Sequence, residues 1–275
     1  MSRKLGLIAV GGLLTAAVCF GIAASVGGRS VLDHIDFDVD GWDNPRCGVT
    51  LAGHDGSREM DWSGGDRVVI EIPANVHYAR GQGDKLVVKG DAAVIPRLEI
   101  DDNRIRFNCH MRRFGRRLDI TLPGRDFERY TINGSSDMTL AGIDQPRLSI
   151  KIAGSGSVTA SGKTNDLEYV VAGSGDGHFE GLDAGNVSIK VAGSGDADVA
   201  PRQRLDVNIA GSGKVTLHSE PQQLETHIAG SGRIIHPDGT VTRRNGLSSD
   251  ERGMMPPPPQ PPQPPAPPAP PAKGI

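Results

Sequence analysis

Between residues 134 and 232, apolar and polar positions alternate in short runs, and each run ends on the same small phrase. At six, four and two residues before the first glycine of each phrase stand Leu148-Ile150-Ile152, Leu167-Tyr169-Val171, Val187-Ile189-Val191, Leu205-Val207-Ile209 and Leu224-Thr226-Ile228. The positions between them are mostly polar, among them Lys151, Glu168, Ser188, Lys190, Asp206 and His227. Apolar side chains at every second residue predict strands with one buried face. Four and six residues after the same glycines come Met138 and Leu140, Val158 and Ala160, Gly177 and Phe179, Ala197 and Val199, Val215 and Leu217. These predict a second, shorter strand in each unit.

The phrase itself is Ala-Gly-Ser-Gly. It reads Gly154 and Gly156, Gly173 and Gly175, Gly193 and Gly195, Gly211 and Gly213, and Gly230 and Gly232, with a degenerate first copy at Asn133-Gly134-Ser135-Ser136. From first glycine to first glycine the steps are 20, 19, 20, 18 and 19 residues. A fixed period of this size means one supersecondary unit stacked on copies of itself. Each unit is predicted to be a strand, a sharp glycine corner, a strand and a looser turn. Glycine suits the corner because the chain must reverse sharply and because stacked corners crowd together. The looser turn holds Gly142, Gly162, Gly181, Pro201 and Pro221 and absorbs the variation in repeat length. The predicted fold is all-β, a single-domain parallel β-helix with coils of about 19 residues. Six coils spaced about 4.8 Å apart would make a rod roughly 29 Å long. A sandwich of short strands is the competing architecture, but it has no need to reuse one corner at each turn.

Upstream, residues 60–132 contain strand-like segments without the corner phrase, such as Val68-Val69-Ile70-Glu71-Ile72 and Leu118-Asp119-Ile120-Thr121-Leu122. They are expected to be irregular first coils of the same domain, since solenoid ends are usually atypical. The domain is therefore expected over 60–236, with 27–59 as a linker or N-terminal cap. Residues 1–26 open with Arg3 and Lys4 and continue uncharged from Leu5 to Val26. That leader reads as a signal peptide, with Ala23-Ala24-Ser25 as a cleavage site, or as an uncleaved membrane anchor. Either reading exports the remainder to the periplasm or cell envelope. From 237 the composition changes, and 12 of the 16 residues from Pro256 to Pro271 are proline. That run cannot join a sheet, so 237–275 is expected to be a disordered proline-rich tail.

Net charge of −3 argues against general nucleic-acid binding, and 11 aromatic residues leave few platforms for stacking sugars. Outside the leader there are two cysteines, Cys47 and Cys109. In an oxidising compartment an even count favours a disulfide, the alternative being two unlinked thiols. The position after each corner holds Asp137, Ser157, Asp176, Asp196, Lys214 and Arg233. Two of these six are cationic, which does not suit a calcium ladder. The corner serines 155, 174, 194, 212 and 231 recur equivalently and cannot each have a general base; a hydroxyl hydrogen-bonding ladder suits them better than nucleophilic chemistry. The eight histidines form no column. No catalytic, cofactor or metal residues are therefore assigned. Arg112, Arg113, Arg116 and Arg117 are a candidate anion patch, since guanidinium forks match phosphate and acidic sugars. The nearby Asp101, Asp102 and Asp119 would equally neutralise them as a solvated hairpin.

The repeated phrase, as in Ile189-Lys190-Val191-Ala192-Gly193-Ser194-Gly195-Asp196, resembles the bacterial head GIN domain of auto-transporter adhesins. The resemblance covers about residues 60–236 and implies an exported, β-helical envelope domain with no catalytic residues to carry over. Ser157, Lys214 and Arg233 depart from the Asp usual at that place. The expected function is that of a non-enzymatic adhesin or scaffold presenting a repetitive surface to an envelope protein or a glycan. Inner-membrane association would run through the N-terminal segment. An envelope-stress sensor and a polysaccharide-active β-helix enzyme are the alternatives.

Overall fold

The computed structural model describes residues 47–62, 64–111 and 116–243. The leader and the proline-rich run lie outside the described residues. The chain forms a β-solenoid of about five turns. Its regular part begins with β8 (Arg129–Gly134) and β9 (Asp137–Gly154), followed by β10 (Ser157–Gly173), β11 (Asp176–Gly193) and β12 (Asp196–Gly211). β13 (Lys214–Leu217), β14 (Gln223–Gly230) and β15 (Arg233–Ile235) complete the stack.

All these strands pair in parallel with their equivalents one turn on. Ile152 stands beside Val171, Val171 beside Val191, and Val191 beside Ile209, and the corner glycines fall glycine on glycine from Gly134 to Gly230. This register is that of a parallel β-helix and excludes a sandwich. The inward columns are buried, with Ile150, Tyr169, Ile189 and Val207 fully enclosed. The second connection is tighter than the expected loose turn. Parallel pairing runs through it, so β9 to β12 each pass unbroken from one corner to the next. The variation in repeat length is absorbed there as register shifts, between Ala160 and Gly162 and between Phe179 and Ala184.

One coil departs from aliphatic packing. Tyr169 and Phe179 meet edge to face with ring centroids 4.9 Å apart. The next inward position is Gly177, where an added Cβ would lie 2.5 Å from the Phe179 ring and 2.6 Å from that of Tyr169. Two large rings are thus accommodated by one missing side chain, as close packing requires.

The N-terminal region joins the same sheet in an order the sequence does not announce. β1 (Asp55–Asp61), β2 (Arg67–Ile70), β3 (Ala74–Ala79), β4 (Lys85–Asp91), β5 (Leu98–Asp101), β6 (Arg104–Phe107) and β7 (Leu118–Thr121) precede the repeat. The coil made by β2 and β3 pairs on one side with β8 and β9 and on the other with β6 and β7. It therefore lies between two later stretches of chain. Beyond it β4 and β1 add to β7, and β5 adds to β6, all antiparallel, which ends the parallel ladder. At the other end β16 (Val241–Thr242) pairs antiparallel with β15. That strand carries the folded chain past residue 236, where the composition placed the start of the tail.

Candidate functional site

The corners are closed to side chains by both space and backbone angle. Gly193 has φ +138, and a Cβ there would lie 2.1 Å from the carbonyl oxygen of Gly173. Such a contact and such a backbone angle both exclude a side chain. Gly154, Gly173, Gly211 and Gly230 repeat this, at 2.2, 2.3, 2.1 and 2.3 Å from the glycine beneath. The second glycines, Gly156, Gly175, Gly195, Gly213 and Gly232, are buried, with added Cβ atoms meeting the neighbouring coil at 2.3 to 2.7 Å. The serines between them are exposed. Their ladder is made by the main chain, not by the hydroxyls: the N–H groups of Ser155, Ser174, Ser194, Ser212 and Ser231 donate to glycine carbonyls at 2.8 to 2.9 Å. This corrects the expected hydroxyl ladder.

The degenerate first corner explains itself. Ser136 stands where later coils have glycine, and it is almost fully buried. Its hydroxyl donates to the Ile72 carbonyl and accepts from the Ala74 N–H, the latter at 3.1 Å. It thereby satisfies the glycine-free corner of β2 and β3. Sequence reading missed this role because the serine looked like a failed glycine.

The column after the corner is knitted together by side chains. Ser157 donates to Asp137 at 2.8 Å, Asp176 accepts from the Asp196 N–H at 3.1 Å, and Asp196 accepts from the Lys214 N–H at 3.0 Å. The Lys214 ammonium also reaches Asp196 at 3.0 Å. Each carboxylate already has a donor, so these acids brace the stack. Among the described residues no group of three or more His, Cys, Asp or Glu could hold a metal ion. His178 and His218 do converge on Asp198, at 3.3 and 3.5 Å. The repeat alignment hid this pair because His218 occupies a different repeat position and leans back diagonally.

Cys47 and Cys109 form a disulfide, with Cα atoms 5.3 Å apart. The Cys47 N–H also donates to the His110 carbonyl at 3.0 Å. The predicted anion patch is not assembled by what is described. Arg112 and Arg113 lie outside the described residues. Arg117 is bonded to Asp137, and Arg116, 89% exposed, comes no nearer than 3.9 Å to Asp55.

A second basic surface, unmarked by any motif, lies on the outward face of β2, β6, β8 and β9. Arg67, Arg104, Arg129 and Lys151 line a depression of about 110 Å³ together with the apolar Val69, Val170 and Ala172. Arg129 forks onto both oxygens of Asp66 at 2.8 and 2.9 Å. That hydrogen bond is the main cause holding the Asp66 carboxyl below its ordinary range. Arg104 pairs with Glu71 at 3.3 Å. Beside the depression runs a ledge of Ala153, Ala172, Ala192, Ala210 and Ala229 in register. The signal was present in the sequence as arginines on outward positions of the Val68-Ile70 and Tyr130-Ile132 strands. Only their pairing across 60 residues brings them together.

A solenoid of register-stacked glycine corners, capped by antiparallel strands and a disulfide, defines the class of protein. The family model described as "Putative auto-transporter adhesin, head GIN domain" matches residues 66–221, and the chain belongs to that family. Two solved structures are similar to this chain, and the first, with the higher TM-score, shares its fold. A chain titled a putative adhesin from Bacteroides fragilis NCTC 9343 aligns with TM-score 0.57 at 16% identity, covering 69% of this chain and 100% of that one. A chain titled a putative lipid binding protein from Parabacteroides distasonis ATCC 8503 aligns with TM-score 0.44 at 20% identity, covering 68% and 98%. Comparison with curated proteins gives no match. Among the described residues no helix is long and apolar enough to cross a membrane.

Proposed function

We propose that this is an exported, non-enzymatic protein of the cell envelope whose rod presents a repetitive surface for adhesion or scaffolding. The observation that carries the reading is the register itself. Outward side chains recur at each turn in straight rows about 4.8 Å apart, as in the alanine ledge from Ala153 to Ala229. A repeating ligand, or several equivalent contacts on one envelope protein, would gain avidity from such rows. Membership of an adhesin-like family supports the same reading. The charged groups found in columns are engaged with one another, which favours bracing over turnover. Burial pushes the hydroxyls of Tyr130 and Tyr169 well above the usual phenol range, so neither serves as an acid or base near neutrality.

The test is capture by the folded chain from fractionated envelope. Retention on wall or glycan material supports the proposal. A single stoichiometric inner-membrane partner would replace it with a sensor. Turnover of acidic polysaccharide, lost on Asp176→Ala or Asp196→Ala, would replace it with an enzyme.

A further inference from the structure

The outward face near the N-terminal end carries a charge conflict. Arg67 and Arg129 stand directly opposite one another on β2 and β8. Like charges placed so on adjacent strands repel and destabilise the pair. Asp66 is committed to Arg129 through both oxygens, and Arg67 has no carboxylate within ion-pair distance among the described residues. One acid therefore serves two arginines at the rim of a depression that Arg104 and Lys151 also line. The lining also includes the apolar Val69, Val170 and Ala172. An occupant should offer at least one carboxylate, to Arg67, and some apolar surface.

The chain holds such an occupant. Upstream of Cys47 the sequence reads Ile35-Asp36-Phe37-Asp38-Val39-Asp40, acid alternating with hydrophobe. In an extended chain such alternation sends carboxylates to one side and apolar groups to the other. The disulfide also anchors the start of the described chain within reach of the depression. Cys47 is fixed to Cys109, two residues past the end of the strand that carries Arg104. From Cys109 back to Arg104 is at most about 17 Å of extended chain, and from Cys47 back to Asp40 up to about 23 Å, at ~3.3 Å per residue. A tether this short keeps the acids at an effective concentration on the order of millimolar.

We propose that residues Ile35–Asp40 dock on this depression, with Asp36, Asp38 and Asp40 turned toward Arg67, Arg104, Arg129 and Lys151. The rod then covers this basic surface with its own N-terminal arm. This inference is independent of what the rod adheres to.

Zero-length carbodiimide coupling tests it directly, on the disulfide-bonded chain with isotopically light and heavy protein mixed. The expected product is an amide between Lys151 and Asp36, Asp38 or Asp40 within single molecules, several-fold weaker at high salt where exposed pairs are screened. It should vanish in Lys151→Arg. A second measurement does not depend on that lysine: modification of Arg67 by phenylglyoxal should speed up several-fold when Asp36, Asp38 and Asp40 are all changed to Asn. Coupling of these aspartates to Lys85 or Lys89 would place the arm on the cap and overturn the proposal. Mixed-isotope products would assign the surface to a second copy. Absence of coupling, with Arg67 reactivity unchanged in the triple variant, would mean that the arm does not cover it.

Discussion

From β8 to β15 each coil repeats its neighbour almost residue for residue, while the coils built by β2 with β3 and by β6 with β7 share the ladder without the phrase. The difference separates two requirements. Parallel stacking needs only alternate inward apolar residues, which both regions supply. Every first corner glycine, Gly134 at φ +127 included, is set by its backbone angle, and stacking on a coil beneath adds a steric demand to this. Gly134, whose lower neighbour is the Glu71-Ile72-Pro73 corner, would meet nothing within 4 Å on gaining a Cβ, whereas Gly154 would strike the Gly134 carbonyl at 2.2 Å. Ser136 occupies the next position at no cost in space. Once one corner is glycine, the coil above it must follow.

The two regions also fill their cores differently. Apart from the Tyr169–Phe179 pair, the repeats use ladders of Ile, Val and Leu. The irregular region uses an aromatic cluster, with Trp62 and Tyr78 against Phe127 at 5.4 and 6.0 Å and Tyr130 against Tyr78 at 6.1 Å. It adds the disulfide and ion pairs such as Arg129 with Asp66. Order lost from repetition is replaced by cross-links.

The comparison is broken most severely at a stacked corner. Gly193→Val combines a backbone clash with a forbidden φ and should cost about 4 kcal/mol or more, whereas Gly134→Ala should cost much less; urea denaturation of both variants measures the gap. Cys47→Ser with Cys109→Ser should cost about 3 kcal/mol. Hydrogen exchange should then quicken first in β6 and β7 and least in β11. Ser136→Ala orphans a buried carbonyl and N–H, at about 2 kcal/mol. Ser194→Ala removes an exposed hydroxyl from an intact main-chain ladder and should shift stability by less than about 0.5 kcal/mol; equal losses for the two serines would contradict the corner described. The smallest effect belongs to Asp66. Its carboxyl is depressed in the folded state by Arg129, so its contribution is whole above the unfolded value near pH 4 and fades as pH falls through the folded one. The stability difference between the native chain and Asp66→Asn should shrink on acidification below about pH 4. Because the pair is largely exposed, the change is small at any pH.

The repeat was legible because its information is local. Ile152, Val171, Val191 and Ile209 announce their stacking by equal spacing from equal glycines. The disulfide followed from the even count of Cys47 and Cys109 outside the leader together with the expected oxidising compartment. The order of the first coils was not legible: nothing near Val69 says that it lies beside both Arg104 and Thr131. The basic depression was hidden for the same reason, being assembled from strands distant in sequence. The His178-Asp198-His218 contact escaped because a diagonal neighbour does not share a repeat position.

The placement of β2 and β3 between strands made later bears on how the molecule can assemble. A chain emerging from its N-terminus exposes residues 67–79 well before either flanking strand exists, and the second flank is finished only at Ala141. Growth in strict order from that end is therefore closed to it. The consecutive repeats, whose partners arrive one after another, are the natural nucleus, and the turn of β2 and β3 must join β8 and β9 before β6 and β7 can stack on it.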